Sequence, residues 1–307
     1  MNLTHLEVYS IDPEDCIDVD DAFSIDGNFL YIHIADPTRY ISNSDHVFRQ
    51  ISQKIITKYY TTHTDHLFPD EILKKSSLHS DSVEEKYAIT FIYENLILQQ
   101  ITESIIKVKK ENKLTYETTK SFEKGIKWAK ELRTKRNAKT YDNIKIITKY
   151  PYISTYNDLH MMIEEFAILC NRSINVGIYK NNKNYSMQNY AHQNLNLNIY
   201  SHFTSPLRRF TDCIAHFLFR DHKAFTKNEI NYYIEISNKV IREDRIRQNR
   251  EFYHKILEIF EKLKDEIILH VDGKIIKKIS INDLSIKCFI KFSDEFRSFK
   301  IKKLLPY

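Results

Sequence analysis

Four aspartates stand close together near the start of the chain, and their spacing predicts metal-assisted chemistry. They fall within ten residues of one another: Asp12, Asp18, Asp20 and Asp21. Carboxylates that converge in a fold repel one another and lose hydration, so they are tolerated only around a cation. Mg²⁺ takes oxygen ligands, and paired metals clamp the attacking and leaving oxygens of phosphate esters. We therefore expect a metal-dependent hydrolase of phosphate esters.

The acidic run has two other possible interpretations, a calcium-binding loop and a solvated loop. An EF-hand calcium loop that starts at Asp18 needs Gly at its sixth position and Glu at its twelfth. The chain has Phe23 and Phe29 there, which excludes that loop. A solvated acidic loop stays the alternative, although Ile17 and Val19 interleave the acids as in a buried strand.

A carboxylate on a predicted apolar helix is the second candidate for chemistry. The pattern predicts a helix from Leu159 to about Tyr179, in which Glu165 has apolar neighbours one turn before and one turn after it. Such a carboxylate is desolvated and needs a partner or a ligand. A structural ion pair is the alternative interpretation.

Two arginines next to a predicted helix start are the third candidate. Ser205 fits an N-cap and Pro206 the first position of a helix that spans residues 206–222. Arg208 and Arg209 would then lie in the first turn, where the helix dipole disfavours cations. An anion bound there would explain them, because free amides and guanidinium groups together grip a phosphate. Pairing with surface acids is the alternative.

Composition narrows the class of protein. The chain has 307 residues, of which 42% are hydrophobic and 28% charged, values typical of a globular fold. Its four glycines are isolated, which excludes Gly-rich nucleotide loops and the α/β-hydrolase elbow. Four dispersed cysteines favour a reducing compartment, and no apolar run suits a signal peptide or a membrane span. We expect a cytoplasmic protein that has no contact with a membrane.

Charge distribution favours a polyanion as the substrate. The net charge is only +5, but basic residues gather in patches away from the acidic run, at 107–113, 130–139, 242–250 and 300–303. An acidic metal centre surrounded by basic patches suits a nucleic acid strand threaded toward it. Each patch taken singly is equally typical of a solvated helix face.

The elements that position these residues follow from periodicity and turn signals. A hairpin is predicted over residues 22–34, and residues 87–93 are expected to pair with 96–108. Helices are predicted at 47–60, capped by Ser44 or Asp45, and at 116–135, 159–179, 206–222 and 228–264. Strands come first and helices later, which predicts an α+β fold. We expect one domain over residues 1–264 and a small β-rich appendage over residues 265–307.

These motifs together resemble the RNB family of 3′→5′ exoribonucleases, the ribonuclease II and ribonuclease R type. The resemblance covers roughly residues 7–225 and rests on Ile11-Asp12-Pro13, Asp18-Val19-Asp20-Asp21-Ala22, His33-Ile34-Ala35-Asp36-Pro37, and Tyr200-Ser201-His202-Phe203-Thr204-Ser205-Pro206-Leu207-Arg208-Arg209-Phe210. Weaker matches are Thr57-Lys58-Tyr59, His66-Leu67-Phe68-Pro69, Ser77-Leu78, Leu114-Thr115-Tyr116 and Ile163-Glu164-Glu165-Phe166. It implies an RNB-type mixed sheet surrounded by helices, with a channel to a buried acidic site.

The resemblance implies a role for each candidate residue. Asp12, Asp18, Asp20 and Asp21 would hold Mg²⁺, or Mn²⁺ in its place, and Asp20 would matter most for the chemistry. Arg208 would stabilise the scissile phosphate, and Ser205 and Arg209 would contribute to the same grip on RNA. Tyr116 would contact the phosphate backbone near the cut, Tyr59 would stack on the terminal base, and Glu165 would meet the ribose hydroxyls.

Departures from the family concern how RNA is held. Only 34 residues separate Glu165 from Tyr200, where the family has a much longer segment. No counterpart of the aromatic residue that faces Tyr59 across the base is found in residues 133–158, and residues 267–299 are at most a vestigial S1-like OB fold. A protein partner that supplies RNA-binding modules would be consistent with these departures.

The expected function is Mg²⁺-dependent hydrolysis of single-stranded RNA from its 3′ end, with release of nucleoside 5′-monophosphates. Two alternatives stay open. One is a degenerate RNB-like protein that binds RNA or a partner without cutting it. The other is a phosphodiesterase restricted to short oligonucleotides.

Overall fold

The structure is a computed structural model of the chain. It describes the backbone of residues 1–60, 62–138, 146–149, 152–155, 157–262, 267–271, 274–279, 287–292 and 295–300, and the side chains of residues 1–60, 62–138, 157–248 and 250–251. The chain divides into two compact units. The first comprises residues 1–140 and 157–244, and the second comprises residues 141–156 and 245–307.

The described elements are strands in the first part of the chain and mainly helices after it. The helices are His46–Lys54 (α1), Asp70–Ser76 (α2), Glu123–Lys135 (α3), Asp158–Ser173 (α4), Phe210–Arg220 (α5) and Lys227–Lys262 (α6). The strands are Ser10–Ile11 (β1), Asp21–Asp26 (β2), Phe29–Ala35 (β3), Lys58–Tyr59 (β4), Thr64–Asp65 (β5), Glu84–Glu94 (β6), Ile97–Val108 (β7), Lys113–Leu114 (β8), Ile146–Lys149 (β9), Tyr152–Thr155 (β10), Tyr179–Lys180 (β11), Tyr185–Ser186 (β12), Ile267–Val271 (β13), Lys274–Ile279 (β14), Lys287–Phe292 (β15) and Glu295–Lys300 (β16). The predicted α+β class is confirmed.

A four-stranded antiparallel sheet forms the centre of the first unit, in the order β2-β3-β6-β7. The predicted hairpin is present: Asp26 pairs with Phe29, and Gly27 has a φ of +52°, a conformation in which glycine pays no steric penalty. The predicted pairing of β6 with β7 is also present. Fully buried side chains along β3 and β6, such as Leu30, Ile34 and Phe91, make this sheet the core.

The helices pack on this core through aromatic and small-residue contacts. Phe48 of α1 lies 5.4 Å from Phe210 of α5 between ring centroids. Between α3 and α4 the approach is closer, because a Cβ on Gly125 would come within 2.5 Å of the Met162 sulfur. Glycine at this position lets the two helices meet.

Helix α1 is shorter than predicted. Asp45 caps it through a 2.8 Å bond from the Phe48 amide, as one of the two expected caps. It ends at Lys54 because Ile55 takes a positive φ of 69°, which a helix cannot continue through. Lys58 and Tyr59 then form the short strand β4, so the prediction of a helix to residue 60 was wrong.

The two middle helices also differ from their predicted limits. Helix α3 begins at Glu123, and Tyr116 lies before it outside any regular element, so the predicted start at Tyr116 was wrong. Helix α4 ends at Ser173, because Ile174 is extended and the chain then turns into the β11–β12 hairpin.

The segment that precedes α5 is not helical, contrary to the prediction. Helix α5 begins at Phe210, and Arg209 is its N-cap with an extended backbone. Arg209 is extended because it pairs with Ile56 as an isolated β-bridge, and the Thr57 amide donates to the Arg208 carbonyl at 3.1 Å. Ser205 is therefore not a helix cap, and the two arginines lie in a turn that is tied to residues 56–57.

The second unit contributes two described sheets. Strands β9 and β10 pair antiparallel, and β13–β16 form a four-stranded sheet in the order β14-β13-β15-β16. These four strands fall within residues 265–307. That this part is a separate S1-like appendage stays a prediction. Among the described residues, no helix combines the length and apolar character that crossing a membrane requires.

A buried carboxylate with a complete set of partners joins β3 to α5. Asp36 accepts hydrogen bonds from Thr38 Oγ1 at 3.0 Å and from Arg220 Nη2, and His216 Nδ1 lies 3.9 Å from its Oδ1. Burial alone would raise the pKa of Asp36, but His216 and Arg220 outweigh it and hold the pKa at about 2. Its negative charge is thus compensated by the protein itself.

We predict that this carboxylate stabilises the fold above pH 4. Because its folded pKa of about 2 lies below the ordinary value of 3.8, its contribution is fully present above that ordinary value and is lost as the pH falls toward 2. Asp36→Asn is expected to lower the free energy of unfolding at pH 7 by about 2 kcal/mol. In the variant, the free energy of unfolding should also decrease less than in wild type as the pH falls below 4. Urea unfolding at pH 7 and at pH 3 measures this. Glu71→Gln, at an exposed ion pair with Lys75, is the control and should behave as wild type.

Candidate active site

Short strands place the acidic residues at the two ends of one loop. Strand β1 pairs in parallel with β8, and the Asp12 amide, directly after β1, donates to the Leu114 carbonyl at 3.0 Å. Asp21 is the first residue of β2. Residues 12–21 therefore leave one element of the first unit and return to its central sheet, which brings the carboxylates together.

The backbone of this acidic loop, residues 12–20, is held from both sides. Lys113 Nζ donates to the carbonyls of Glu14 at 3.1 Å and Cys16 at 2.7 Å. On the other side, Ser77 Oγ donates to the Ile17 carbonyl at 2.8 Å and accepts from the Val19 amide at 3.1 Å. Val19 is fully buried, so the middle of the run is anchored in the core as a buried segment and not as a solvated loop.

Asp20 is fixed by the turn that carries the arginines. The Leu207 amide donates to Asp20 Oδ1 at 2.8 Å, and Arg208 Nε donates to Asp20 Oδ2 at 2.8 Å. Arg208 Nη2 also donates to Ser205 Oγ at 2.8 Å. Burial raises the pKa of Asp20 to about 7, although Arg208 and the Leu207 amide act to lower it.

Asp12 is the least compensated carboxylate of the cluster. Burial raises its pKa to about 8, and the charges of Asp21, Asp20 and Asp18 add to that rise while Lys113 opposes it. Its Oδ2 is buried and finds no hydrogen-bond partner among the residues that the structure describes. An orphaned carboxylate oxygen beside other carboxylates is costly unless a cation or a proton sits there.

Asp18 meets a tyrosine, a histidine and a thiol. Tyr59 donates its hydroxyl to Asp18 Oδ2 at 2.8 Å, a contact made possible because β4 replaces the predicted helix. His66 Nδ1 lies 3.8 Å from the same oxygen, and Cys16 Sγ lies 3.5 Å from Oδ1. Tyr59 is therefore part of the acidic cluster.

The donor set fits a hard cation by its chemistry. Carboxylate oxygens are the ligands that Mg²⁺ and Mn²⁺ prefer. Burial raises the pKa values of Asp12 and Asp20, whereas His216 and Arg220 hold the pKa of Asp36 low. The side chains are not yet arranged around one point, however. Across the described ranges, no three His, Cys, Asp or Glu side chains stand as a ready ligand set, since Asp18 and Asp20 bond to Tyr59, Leu207 and Arg208.

Tyr116 lies beside the acids, as expected from the sequence. Burial raises its pKa above the ordinary value of 10, and the charges of Asp12 and Asp21 add to that shift. Its ring stacks on His160 with centroids 3.6 Å apart and planes 8° from parallel. The aromatic group is thus fixed in plane next to the cluster.

Arg209 turns toward the protein interior. Its Nη2 donates to Asp212 Oδ2 at 2.7 Å, and Asp212 also accepts the Ser205 amide at 2.9 Å. Arg208, in contrast, keeps a side chain that is 32% exposed. The structure therefore brings Arg208 and Ser205 to the acidic cluster, while Arg209 stabilises the turn behind them.

Glu165 forms the ion pair that the sequence left as an alternative. It is 1% exposed, and its Oε1 accepts from Arg133 Nη1 at 3.1 Å. Arg136 donates from Nε to Oε2 at 3.1 Å and from Nη2 to Oε1. Its contact with ribose stays a prediction, and the sequence region in which an aromatic facing Tyr59 was sought lies partly outside the described residues, at 139–145, 150–151 and 156.

Some residues at the site were missed from the sequence. The Leu207 amide, Lys113 and His66 approach the acidic loop from segments far away in the chain. His66 and Leu207 stand in matched segments, but their contacts with the acids leave no local pattern. Among the described residues a cavity of about 510 Å³ adjoins His66. Its walls are Gln50, Lys54, Thr64, Asp65, His66, Leu67, Phe68, Pro69 and Asp70.

An antiparallel sheet, a buried acidic loop and an arginine-bearing turn define an α+β domain built around an acidic centre. The RNB domain model matches residues 1–184 and 173–225. The chain belongs to the RNB domain family.

Curated relatives match a short segment. A stretch of 77 residues is 35% identical to the chloroplastic and mitochondrial ribonuclease II of Arabidopsis thaliana, and covers 24% of this chain and 10% of that protein. A stretch of 76 residues is 34% identical to an uncharacterised ribonuclease of Synechocystis, and covers 23% of this chain and 11% of that protein. The chain thus matches about a tenth of the length of these relatives.

Solved structures match almost the whole chain. The apo form of Mycoplasma genitalium RNase R has a TM-score of 0.73 at 15% identity, with 98% of this chain and 63% of that chain covered. An active-site mutant of the Dss1 exoribonuclease from Candida glabrata has a TM-score of 0.73 at 18% identity, with 87% of this chain and 50% of that chain covered. Yeast Ssd1, a pseudonuclease, has a TM-score of 0.63 at 13% identity, with 94% of this chain and 51% of that chain covered. At these identities the likeness shows the fold, which is of the RNB type.

We predict that the uncompensated carboxylates make the metal-free protein less stable as the pH rises. Since the folded pKa values of Asp12 and Asp20 are about 8 and about 7, the folded state binds more protons than the unfolded state between about pH 4 and pH 8. Stability must fall across that window.

Asp12→Asn tests this expectation by urea unfolding in EDTA. At pH 8 the variant should be more stable than wild type by about 1–3 kcal/mol, and the difference should vanish near pH 4. Asp15→Asn, on an exposed residue of the same loop, is the matched control. Equal pH profiles for Asp12→Asn and wild type would contradict the raised pKa.

Proposed function

We propose that this chain is a divalent metal-dependent ribonuclease that shortens single-stranded RNA from its 3′ end and releases nucleoside 5′-monophosphates. Family membership and the RNB-type fold support the reaction class. The observation that carries the proposal is the contrast between buried carboxylates. Asp36 is neutralised by protein cations, whereas Asp12 keeps an orphaned oxygen among three further carboxylates. A centre of this kind is suited to a bound cation.

The aspartates would bind the metal, and Arg208 would stabilise the reacting phosphate. Asp12, Asp18, Asp20 and Asp21 would hold Mg²⁺ or Mn²⁺, and the bound metal would polarise the scissile phosphate and lower the pKa of the attacking water. Arg208 bonds to Asp20 through Nε and to Ser205 through Nη2. This pre-orients its guanidinium beside the acids to stabilise charge that develops on the phosphate.

Two tyrosines would hold the strand at the reacting end. The hydroxyl of Tyr59 is anchored on Asp18, and its ring would stack on the terminal base, a contact worth about 1–3 kcal/mol per base. Tyr116 would contact the phosphate backbone near the cut. In this arrangement Asp18 couples base binding to the acidic centre.

Glu165 would provide the preference for RNA over DNA, through the acceptor position that its ion pairs leave unoccupied. Three donors from Arg133 and Arg136 occupy the carboxylate, and one acceptor position on Oε2 is left by these bonds. We assign that position to a single ribose hydroxyl as donor. The solved structure of Mycoplasma genitalium RNase R in complex with ribose-methylated single-stranded RNA has a TM-score of 0.71 at 14% identity. This likeness supports single-stranded RNA as the substrate class.

A degenerate RNB-like protein is the second candidate. It is favoured by the ties of Asp18 and Asp20 to Tyr59, Leu207 and Arg208, and by the likeness to the pseudonuclease Ssd1. The full set of four aspartates favours the enzyme instead. A phosphodiesterase restricted to short oligonucleotides would differ by cutting di- to pentanucleotides faster than long strands.

We predict that cleavage depends on Asp20 and on a divalent cation. 5′-Labelled single-stranded RNA and DNA of the same sequence are incubated with Mg²⁺, Mn²⁺ or EDTA and followed on a sequencing gel. Wild type should produce a ladder that shortens from the 3′ end of RNA and stops in EDTA. Asp20→Asn should slow it at least about a hundredfold, because Arg208 loses its carboxylate and the centre loses a ligand.

Asp15→Asn is the matched control and should cleave as wild type. Intact RNA with wild type, together with RNA binding, would overturn the nuclease proposal in favour of the degenerate protein. Cleavage confined to short oligonucleotides would point to the third possibility.

We also predict that the cation stabilises the protein through the same residues. Mg²⁺ or Mn²⁺ at a concentration about a hundredfold above its dissociation constant would add about 2.7 kcal/mol to the free energy of unfolding. The rise in Tm should be larger at pH 8 than at pH 5.5, because protons compete for Asp12 and Asp20. Asp12→Asn should lose most of the rise and Asp15→Asn should keep it. An equal rise in both variants would place the cation elsewhere.

A further inference from the structure

Tyr116 owes its position to residues of helix α4, not to an element of its own. It follows β8 by two residues and precedes α3, within a turn in which the Thr118 amide donates to the Thr115 carbonyl at 3.1 Å. A tyrosine in such a segment has free χ1 and χ2 torsions unless its neighbours restrict them. What fixes this side chain therefore decides where its hydroxyl stands relative to the acids.

The ring of Tyr116 is restricted by a flat stack on His160. The centroids are 3.6 Å apart and the planes differ by 8°, closer than most aromatic pairs, which have centroids 4.5–7 Å apart. His160 is itself buried, with 7% of its surface exposed. A flat contact of this kind defines the plane in which the tyrosine ring lies.

The backbone of Tyr116 is restricted by Asn157. Its Nδ2 donates to the Tyr116 carbonyl at 2.8 Å. The Oδ1 of Asn157 caps α4 by accepting the amides of Leu159 at 3.0 Å and His160 at 3.1 Å, and it lies 2.9 Å from His160 Nδ1. Asn157 and His160 also form the capping box of α4, in which the Asn157 amide donates to His160 Nδ1 at 3.3 Å. The cap does not use the bond from Asn157 Nδ2 or the flat stack of His160, so these two contacts are additional constraints directed at Tyr116.

We propose that Asn157 and His160 are positioning residues that hold Tyr116 at the angle required for it to meet the phosphate backbone. The proposal rests on the proposed function, since it assigns to Tyr116 a contact with the substrate. One residue fixes the backbone of Tyr116 and the other fixes its ring plane, so together they remove the torsional freedom that would blur the contact. Misplacement of about 1 Å at a reacting centre is enough to lower a rate by a factor of about a hundred.

A double-mutant cycle distinguishes positioning from simple packing. His160→Ala is expected to lower kcat/KM for single-stranded RNA about tenfold, the effect of a coupling of about 1.4 kcal/mol. In a Tyr116→Ala background the same substitution should cost less than about twofold, because the group through which it acts is gone. His160→Phe, which keeps a flat ring without Nδ1, should recover activity to within about threefold of wild type.

The control addresses damage to the start of α4. Asp158→Asn breaks the ion pair with Lys130 at 2.9 Å next to Asn157 and does not touch Tyr116 in the structure. It should leave kcat/KM unchanged. Tm values of all variants identify any loss that reflects unfolding.

Binding separates failure of this inference from failure of the proposed function. The same cycle is measured on the dissociation constant for single-stranded RNA in EDTA, where no turnover is needed. If wild type binds without cutting, the proposed function fails, and non-additive binding effects of His160→Ala and Tyr116→Ala still support the positioning role. Additive effects on binding, or on kcat/KM where cleavage occurs, would overturn it.

Discussion

The convergence of four aspartates where the acidic loop enters the central sheet is the constraint on which the rest of this structure depends. Asp18 and Asp20 are buried, and Asp12 and Asp21 are half-buried. The loop stays in place because uncharged and cationic groups bind its backbone: Ser77 holds Ile17 and Val19, and Lys113 holds the carbonyls of Glu14 and Cys16. The backbone is therefore fixed independently of the carboxylates. Asp18 is in turn held by Tyr59, and Asp20 by Leu207 and Arg208. Crowding of the carboxylates has a cost in stability that the core sheet must offset.

The buried carboxylates of this domain differ in how far the protein compensates their charge. Asp36 has an arginine, a threonine and a nearby histidine, and its pKa falls to about 2. Glu165 has a fork of two arginines. Asp12 has a weak contact from the Cys16 thiol and no cation within hydrogen-bond reach among the described residues, and burial together with the neighbouring carboxylates raises its pKa to about 8. Because cationic side chains of the protein bind the first two acids, Asp12 stands out as the carboxylate at which an external cation would gain most.

The sequence predicted the acidic residues, the hairpin and the pairing of β6 with β7 because these depend on local spacing and alternation. It failed where distant segments decide the backbone. The bridge between Ile56 and Arg209 keeps residues 205–209 out of a helix, and the positive φ of Ile55 turns the chain so that Tyr59 reaches Asp18. Neither contact leaves a periodic signal. Burial of Glu165 was anticipated, but its partners, which come from the end of α3, were not.

The bond between Asp20 and the Leu207 amide joins residues 187 positions apart, and this has a consequence for the protein during its synthesis. Ribosomes add about 5–20 residues per second, so Asp20 waits roughly ten seconds or more for the turn that completes its surroundings. A nascent chain that has passed the acidic loop has every carboxylate but lacks Arg208. Until Leu207 and Arg208 have been synthesised, Asp20 lacks the amide and the guanidinium group that hold it in the structure.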